Sequence, residues 1–153
     1  MKKITALLLA LVMALALTAC GEKTPTASET PSDTPDVKGE GVMTYAEYVA
    51  APLDSEVVVE TYVQAKQSWW DNKATVYTQD KDGAYFCYNM ACSEEDYAKL
   101  VPGAKIKVTG YKAEWAGEVE IIDATFELQE GSYVAPALDA TSLLGTDDLI
   151  KHQ

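Results

Sequence analysis

The stretch that most constrains the fold is residues 103–128, GAKIKVTGYKAEWAGEVEIIDATFEL, where two strand-like runs flank a short loop that contains a tryptophan. Ile106 and Val108 alternate with polar residues, the period of two that is typical of a strand with one buried face. Val119 and Ile121 are expected to continue that inward face after the loop. The pattern predicts an antiparallel strand pair around which an all-β domain is built.

Three further strand-like runs and a short helical run precede this pair. Their predicted positions are strands over 55–65, 74–79 and 84–90, followed by a helix over 93–100. The order β-β-β-α-β-β predicts an all-β fold with one short helix inside it, the five-stranded Greek-key barrel of the oligonucleotide/oligosaccharide-binding (OB) fold. Another short helix, over 43–51 and capped by Thr44, is predicted ahead of the first strand.

The runs YTQDKDGAYFCYN and KLVPGAKIKVTGYKAEWAGEVEI resemble small OB-fold modules of secreted bacterial proteins and lipoproteins, over about residues 43–128. The resemblance rests on a D-x-D-G turn, a P-G-x-x-I-x-V-T-G strand and a W-x-G-E-V-E-I return strand. It implies a ligand that lies across strands 2 and 3, between the loops joining strands 1–2 and 4–5. Because this barrel serves unrelated ligands, the resemblance implies no particular function.

The first 19 residues read as a secretory signal peptide, with two lysines, an apolar run and small residues before Cys20. The four residues Leu17-Thr18-Ala19-Cys20 resemble the lipobox of bacterial lipoproteins. That resemblance implies cleavage before Cys20 and attachment of a diacylglycerol to its sulfur. The expected location is therefore outside the cell, anchored by lipid to the outer face of a bacterial membrane.

The chain divides by composition into four predicted parts. Residues 20–41 are rich in Pro, Thr, Ser and Glu and are predicted to be a disordered tether. Residues 42–131 are the predicted OB-fold domain, and residues 132–153 form a tail. The tail has a helix start at Thr146, so it either packs a short helix on the barrel or leads into a second copy of the domain.

The charge balance favours some ligands over others. The chain has 12 basic residues, all lysine, against 24 acidic residues, and a net charge of −12. Nucleic-acid binding depends mainly on cationic side chains that contact phosphates, and arginine provides most bidentate phosphate contacts. Nucleic acid is therefore not favoured as a partner.

No residue pattern indicates catalysis, a metal site or a cofactor. His152 is the single histidine, so the serines and aspartates lack the partner that nucleophilic catalysis usually needs. The D-x-D-G run at 80–83 is expected to be a hairpin turn, because a calcium loop needs a further acid where Asn89 stands. Cys87 and Cys92 are candidates for a disulfide in an exported protein, and the alternative is two buried free thiols.

Aromatic residues supply the candidate ligand site. The residues expected to bind ligand are Trp69, Trp70, Tyr77, Tyr85 and Trp115. The tryptophans fall in the two loops that border the ligand face of an OB barrel, and aromatic faces stack on sugar rings and bases. Tyr88 is the alternative to Tyr85, because only one of the two faces outward. The alternative for Trp70 and Trp115 is that they close the barrel ends as part of the core.

These observations predict a non-enzymatic binding module whose ligand at the cell envelope is a glycan, a peptide or a protein. Asp71, Glu114 and Glu118 accompany the tryptophans, so the expected rim is acidic. A nucleic-acid-binding lipoprotein is the first alternative. A structural or inhibitory domain that acts through protein contacts is the second.

Overall fold

The computed structural model describes residues 37–149, and the predicted signal peptide and Cys20 lie outside them. The elements in chain order are α1 (Tyr45–Ala50), β1 (Glu56–Lys66), β2 (Lys73–Gln79), β3 (Ala84–Ala91), α2 (Glu94–Lys99), β4 (Ala104–Trp115), β5 (Glu118–Ser132) and a 3-10 turn (Thr141–Leu143). No helix among these residues is long and apolar enough to span a membrane.

The five strands close into a barrel in the order β1-β2-β3-β5-β4. Neighbouring strands are antiparallel except β3 and β5, which are parallel with Cys87 opposite Ile121. The predicted small all-β barrel of OB type is confirmed, and α2 lies between β3 and β4 as expected. The predicted strand ends agree with the observed ones within a few residues.

The barrel interior is filled by the inward side chains of alternating strand positions. Val57, Val59, Ile106 and Val108 are fully buried, as the period of two predicts. Val119 was expected on this face but is 39% exposed, because it lies at the start of β5, beyond the filled interior. The buried face of β5 therefore begins at Ile121.

Gly110 allows β4 and β5 to approach closely at a point where their register shifts. A Cβ atom at this position would lie 2.8 Å from both a methyl carbon of Ile121 and the carbonyl oxygen of Ile122. Any larger residue would push the two strands apart, so the glycine is required by packing.

Helix α1 packs Tyr48 into the core and is fixed at both of its ends. Thr44 and Glu47 form a capping box at the start, as the sequence of this helix suggests. At the other end the buried Lys112 of β4 donates hydrogen bonds from Nζ to the carbonyl oxygens of Tyr48, Val49 and Ala51, at 2.8–3.0 Å. A cation at this end also complements the helix dipole.

The packed domain begins before the predicted boundary at residue 42. Lys38 donates hydrogen bonds from Nζ to the Oδ2 of Asp80, at 2.6 Å, and to the carbonyl oxygen of Glu60, at 3.0 Å. The side chains of Lys38 and Asp80 are both buried. The tether prediction was made from composition, which does not indicate where a single lysine enters the domain.

The described part of the tail does not pack a helix on the barrel. After Tyr133 and Ala135, which contact Gln64 on β1, no residue through 149 is buried. Thr146 was predicted to be a helix N-cap, but its hydroxyl donates to the carbonyl oxygen of Leu143 at the end of the 3-10 turn. The remainder of the predicted helix lies outside the described residues.

The two cysteines of the domain are free thiols, which corrects the expected disulfide. Cys87 points into the barrel interior, and burial raises the pKa of its thiol to about 12. Cys92 follows the end of β3, and its Sγ contacts the carbonyl oxygen of Ser93 at 3.3 Å. The alternative of two buried thiols is the one observed.

Candidate functional site

A groove follows the outer surface of the barrel where β3 and β5 run side by side. Side chains two residues apart on a strand share a face, so Phe86 and Tyr88 of β3 point outward beside Glu118, Glu120 and Ile122 of β5. We call this surface the β3–β5 groove; it consists of three adjoining clefts.

The first cleft lies at the end of the groove where β4 turns into β5. Ala116 and Gly117 form a two-residue turn with φ angles of 53° and 91°, which are typical of a tight hairpin turn. The turn places Trp115 directly opposite Glu118. The resulting Trp115 cleft has a volume of about 240 Å³, and its lining is Phe86, Tyr88, Trp115, Glu118 and Glu120.

The aromatic rings continue from this cleft onto β2. The rings of Tyr77 and Phe86 are stacked with centroids 5.1 Å apart, and those of Phe86 and Tyr88 are 6.1 Å apart and tilted by 45°. The hydroxyl of Tyr77 accepts a hydrogen bond from the side-chain amide of Gln67. Aromatic side chains thus cover the outer face of β2 and β3 beside the cleft.

Two carboxylates form the acidic wall of the Trp115 cleft. Glu118 and Glu120 are both half-buried, and neither carboxylate makes an ion pair or a hydrogen bond within residues 37–149. Burial, together with the nearby charge of Glu118, raises the pKa of the Glu120 carboxyl. The cleft therefore holds negative charge that the described part of the domain does not neutralise.

The other two clefts extend the groove to the β1–β2 loop. The second cleft shares Tyr88 and Glu120 with the first, and both clefts beyond the first are lined by Lys73, Asn89 and Asp123. Asn89 and Asp123 adopt left-handed backbone conformations with φ near 50°, where each interrupts its strand. Polar side chains thus line this part of the groove.

The structure places Tyr85, one of the predicted ligand residues, in the core. It is only 2% exposed, packs against Tyr48 and donates its hydroxyl hydrogen to Asp80 Oδ2 at 2.9 Å. Its predicted role is therefore wrong, because the inward positions of β3 are the odd-numbered ones through Cys87. Tyr88 faces outward because it continues the alternation after Cys87, and Asn89 interrupts that alternation before the buried Met90.

Phe86 is not among the predicted ligand residues, which are all tyrosines and tryptophans. The signal was present, because Phe86 alternates with Tyr85 and Cys87 and lies opposite Tyr77 on the neighbouring strand. Glu120 was also missed. It shares a strand face with Glu118, which the period of two could have indicated.

The three tryptophans do not meet at one site. Trp115 lines the cleft at the β4–β5 turn, whereas Trp69 and Trp70 lie in the β1–β2 loop beside the other end of β3. Trp69 is half-buried and donates its Nε1 hydrogen to the carbonyl oxygen of Cys92 at 2.9 Å. Trp70 and Trp115 are 78% and 73% exposed, so the alternative that they close the barrel as core residues is wrong.

The domain offers no obvious metal centre in its described portion. No group of three or more His, Cys, Asp or Glu side chains that could hold an ion occurs within residues 37–149. The acidic side chains of the groove are spread along β5 and the β1–β2 loop. What the arrangement can do chemically is bind: it combines exposed aromatic faces with carboxylate and amide groups.

No model of a known protein family matches this chain, and a search of curated proteins finds no similar sequence.

Proposed function

We propose that this chain is a lipid-anchored binding module on the outer face of a bacterial membrane. Its ligand is a glycan, a peptide or a protein segment of the cell envelope, and the β3–β5 groove is the binding site. The anchor follows from the signal-like N-terminus and the Leu17–Cys20 run. The domain acts by binding and needs no cofactor.

The observation that supports this proposal best is the lining of the groove. The exposed rings of Tyr88 and Trp115 and the half-buried rings of Tyr77 and Phe86 adjoin carboxylates that have no partner among the described residues. Aromatic faces supply apolar contact area, while carboxylate and amide groups orient a polar ligand. This surface also lies close to the region where OB barrels generally hold their ligands.

The charge of the groove argues against the nucleic-acid alternative. Its lining includes the four carboxylates of Asp71, Glu118, Glu120 and Asp123 and the single ammonium group of Lys73. A phosphate backbone would be repelled here, since nucleic-acid binding relies on basic side chains that neutralise phosphates and so release the condensed counterions into solution. An uncharged or cationic ligand is not repelled by these carboxylates.

A binding panel on the fragment Asp33–Gln153 tests the proposal. This fragment is one compact unit that contains all five strands and the whole described core, so it is expected to fold alone. Neutral oligosaccharides, lysine-containing peptides and a single-stranded oligodeoxynucleotide are each titrated over a range of salt concentrations. We expect an oligosaccharide or a peptide to bind, and the variant Tyr88→Ala to weaken that binding.

Tyr111→Ala is the matched control, because Tyr111 is 45% exposed against 43% for Tyr88 but does not line the groove. Equal losses in the two variants would place the binding elsewhere on the barrel. Oligonucleotide binding that falls steeply with salt, with no other ligand bound, would favour the nucleic-acid alternative. Absence of binding throughout the panel would favour a structural or inhibitory domain.

A further inference from the structure

The Trp115 cleft is too small for a whole ligand of ordinary size. Its volume is about 240 Å³, whereas pockets for drug-sized molecules span roughly 300–1,000 Å³. It is therefore suited to one functional group at the end of a longer ligand that follows the groove. The chemistry of that group can be read from the side chains of the cleft.

The ring arrangement differs from a flat stacking platform. Phe86 and Tyr88 are tilted by 45° to each other, and Trp115 approaches from the β4–β5 turn. Aromatic rings from β3 and from the β4–β5 turn thus line the same small cleft. Aromatic rings attract an organic cation that lies over a ring face within about 6 Å of the ring centroid, so a cleft lined by three rings is suited to such a group.

The carboxylates of the cleft point to the same kind of group. Glu118 and Glu120 lie two residues apart on the same strand face and are half-buried. Two like charges so placed destabilise each other, and a neutral group bound between them would leave that repulsion in place. A bound cation would relieve it while contacting the three rings.

We propose that the Trp115 cleft is a specificity subsite for an alkylammonium group. The occupant is either a quaternary ammonium head or a primary amine such as a lysine side chain, since both present a cation on an apolar stem. Phe86, Tyr88 and Trp115 contact the stem and the charge, and Glu118 and Glu120 neutralise the charge. This inference rests on the proposed function and identifies one determinant of its ligand.

The test compares small cations with an uncharged molecule of the same shape. Choline chloride and n-butylammonium chloride represent the quaternary and primary sources, and 3,3-dimethylbutan-1-ol is the uncharged isostere of choline. Each is titrated into Asp33–Gln153 while the indole N–H resonances are followed by NMR, with Trp115→Phe used to assign the Trp115 signal. We expect at least one cation to shift the Trp115 resonance more than those of Trp69 and Trp70.

The contribution of charge is measured with the double variant Glu118→Gln/Glu120→Gln. It keeps the shape of the cleft, and we expect it to weaken cation binding by about fivefold or more. The matched control is Glu127→Gln/Glu130→Gln, which removes the same two charges from exposed positions farther along β5. The control is expected to bind the cation within about twofold of the unmodified fragment, because screening reduces the effect of distant charges.

Two results would overturn the inference: the isostere binds as tightly as choline, or the two double variants lose affinity equally. Either result leaves the proposed function standing if an oligosaccharide or peptide still binds in a manner that depends on Tyr88. If neither result is obtained, the relative affinities of choline and n-butylammonium decide whether the cleft prefers a quaternary ammonium head or a primary amine.

Discussion

Asp80 shows how one side chain can stabilise both a turn and the core. Its Oδ1 accepts hydrogen bonds from the backbone N–H groups of Asp82 and Gly83, each at 2.8 Å, which holds the β2–β3 turn. Its Oδ2 accepts from Tyr85 and Lys38 inside the domain. The turn was predictable because its contacts are local, whereas Lys38 lies 42 residues away.

Replacing Lys38 is expected to destabilise the domain strongly. Lys38→Met leaves the buried carboxylate of Asp80 without its cation, and breaking such a pair typically costs about 3–5 kcal/mol. The free energy of unfolding of Asp33–Gln153, obtained from urea denaturation, measures the loss. Lys81→Met removes an exposed lysine beside Asp80 and should change stability by no more than about 0.5 kcal/mol. Equal stability of both variants would show that Lys38 belongs to the tether.

Glu120 is expected to make stability depend on pH in the opposite sense to an ion-paired carboxylate. Its pKa in the folded domain is raised above the ordinary value of 4.5 by burial and by Glu118. The folded domain therefore binds a proton more readily than the unfolded chain at pH values between the two pKa values, and stability rises as the pH falls through that window.

The variant Glu120→Gln should remove this contribution. Compared with the unmodified domain, it should be slightly more stable at neutral pH, and the difference should shrink as the pH falls below the raised pKa. Urea denaturation over a pH series measures it. Glu127→Gln reports the general effect of losing one negative charge, so a difference that is constant with pH and equal in both variants would contradict the argument.

At the scale of elements, β3 determines which aromatic residues reach the groove. Its inward positions, Tyr85 and Cys87, belong to the core, while Phe86 and Tyr88 project beside β5. This division follows from the period of two, but the phase of that period was ambiguous in a run with aromatic residues on both faces. The parallel pairing of β3 with β5 places the carboxylates of Glu118 and Glu120 beside these rings.

The tryptophans at the two ends of β3 are expected to respond differently to truncation. Trp115→Ala removes an exposed ring, so the free energy of unfolding should change by no more than about 0.5 kcal/mol. Trp69→Ala removes a half-buried ring and the hydrogen bond to Cys92, and should cost about 1–3 kcal/mol. Urea denaturation of the two variants measures both values. A large loss for Trp115→Ala would show that this ring supports the barrel instead of a ligand.

At the scale of the whole molecule, barrel closure positions the groove. The pairing of β3 with β5 brings residues about 30 positions apart in sequence onto one surface, as in Tyr88 and Glu120. The alignment of their side chains is set by a single register, with Cys87 opposite Ile121. Residues 132–149 of the tail line none of the three clefts.

The membrane anchor is tested in cells. If Cys20 carries a diacylglycerol, the full chain should enter the detergent phase in a phase-partitioning assay, because each buried methylene contributes about 0.8 kcal/mol. Cys20→Ser should abolish lipidation and leave the protein unprocessed or released. Ser28→Ala, in the predicted tether, is the control and should partition normally. Unchanged partitioning of Cys20→Ser would exclude the lipid anchor.

The sequence by itself determined the features that depend on short stretches of chain. Alternation placed Val57, Ile106 and Val108 inside a five-stranded barrel, and local hydrogen bonding predicted the cap at Thr44 and the turn at Asp80. These features need only neighbouring residues, so the chain order of strands and the helix between them followed from the pattern.

The tertiary structure decided what depends on pairs of distant residues. It placed Tyr85 in the core and Phe86 on the outer face of β3. It separated Trp69 and Trp70 from Trp115. It also brought Glu120 beside Tyr88 in one cleft. Alternation within a strand only narrows these outcomes, because the phase of each strand and the register of β3 against β5 are fixed by packing across the closed barrel.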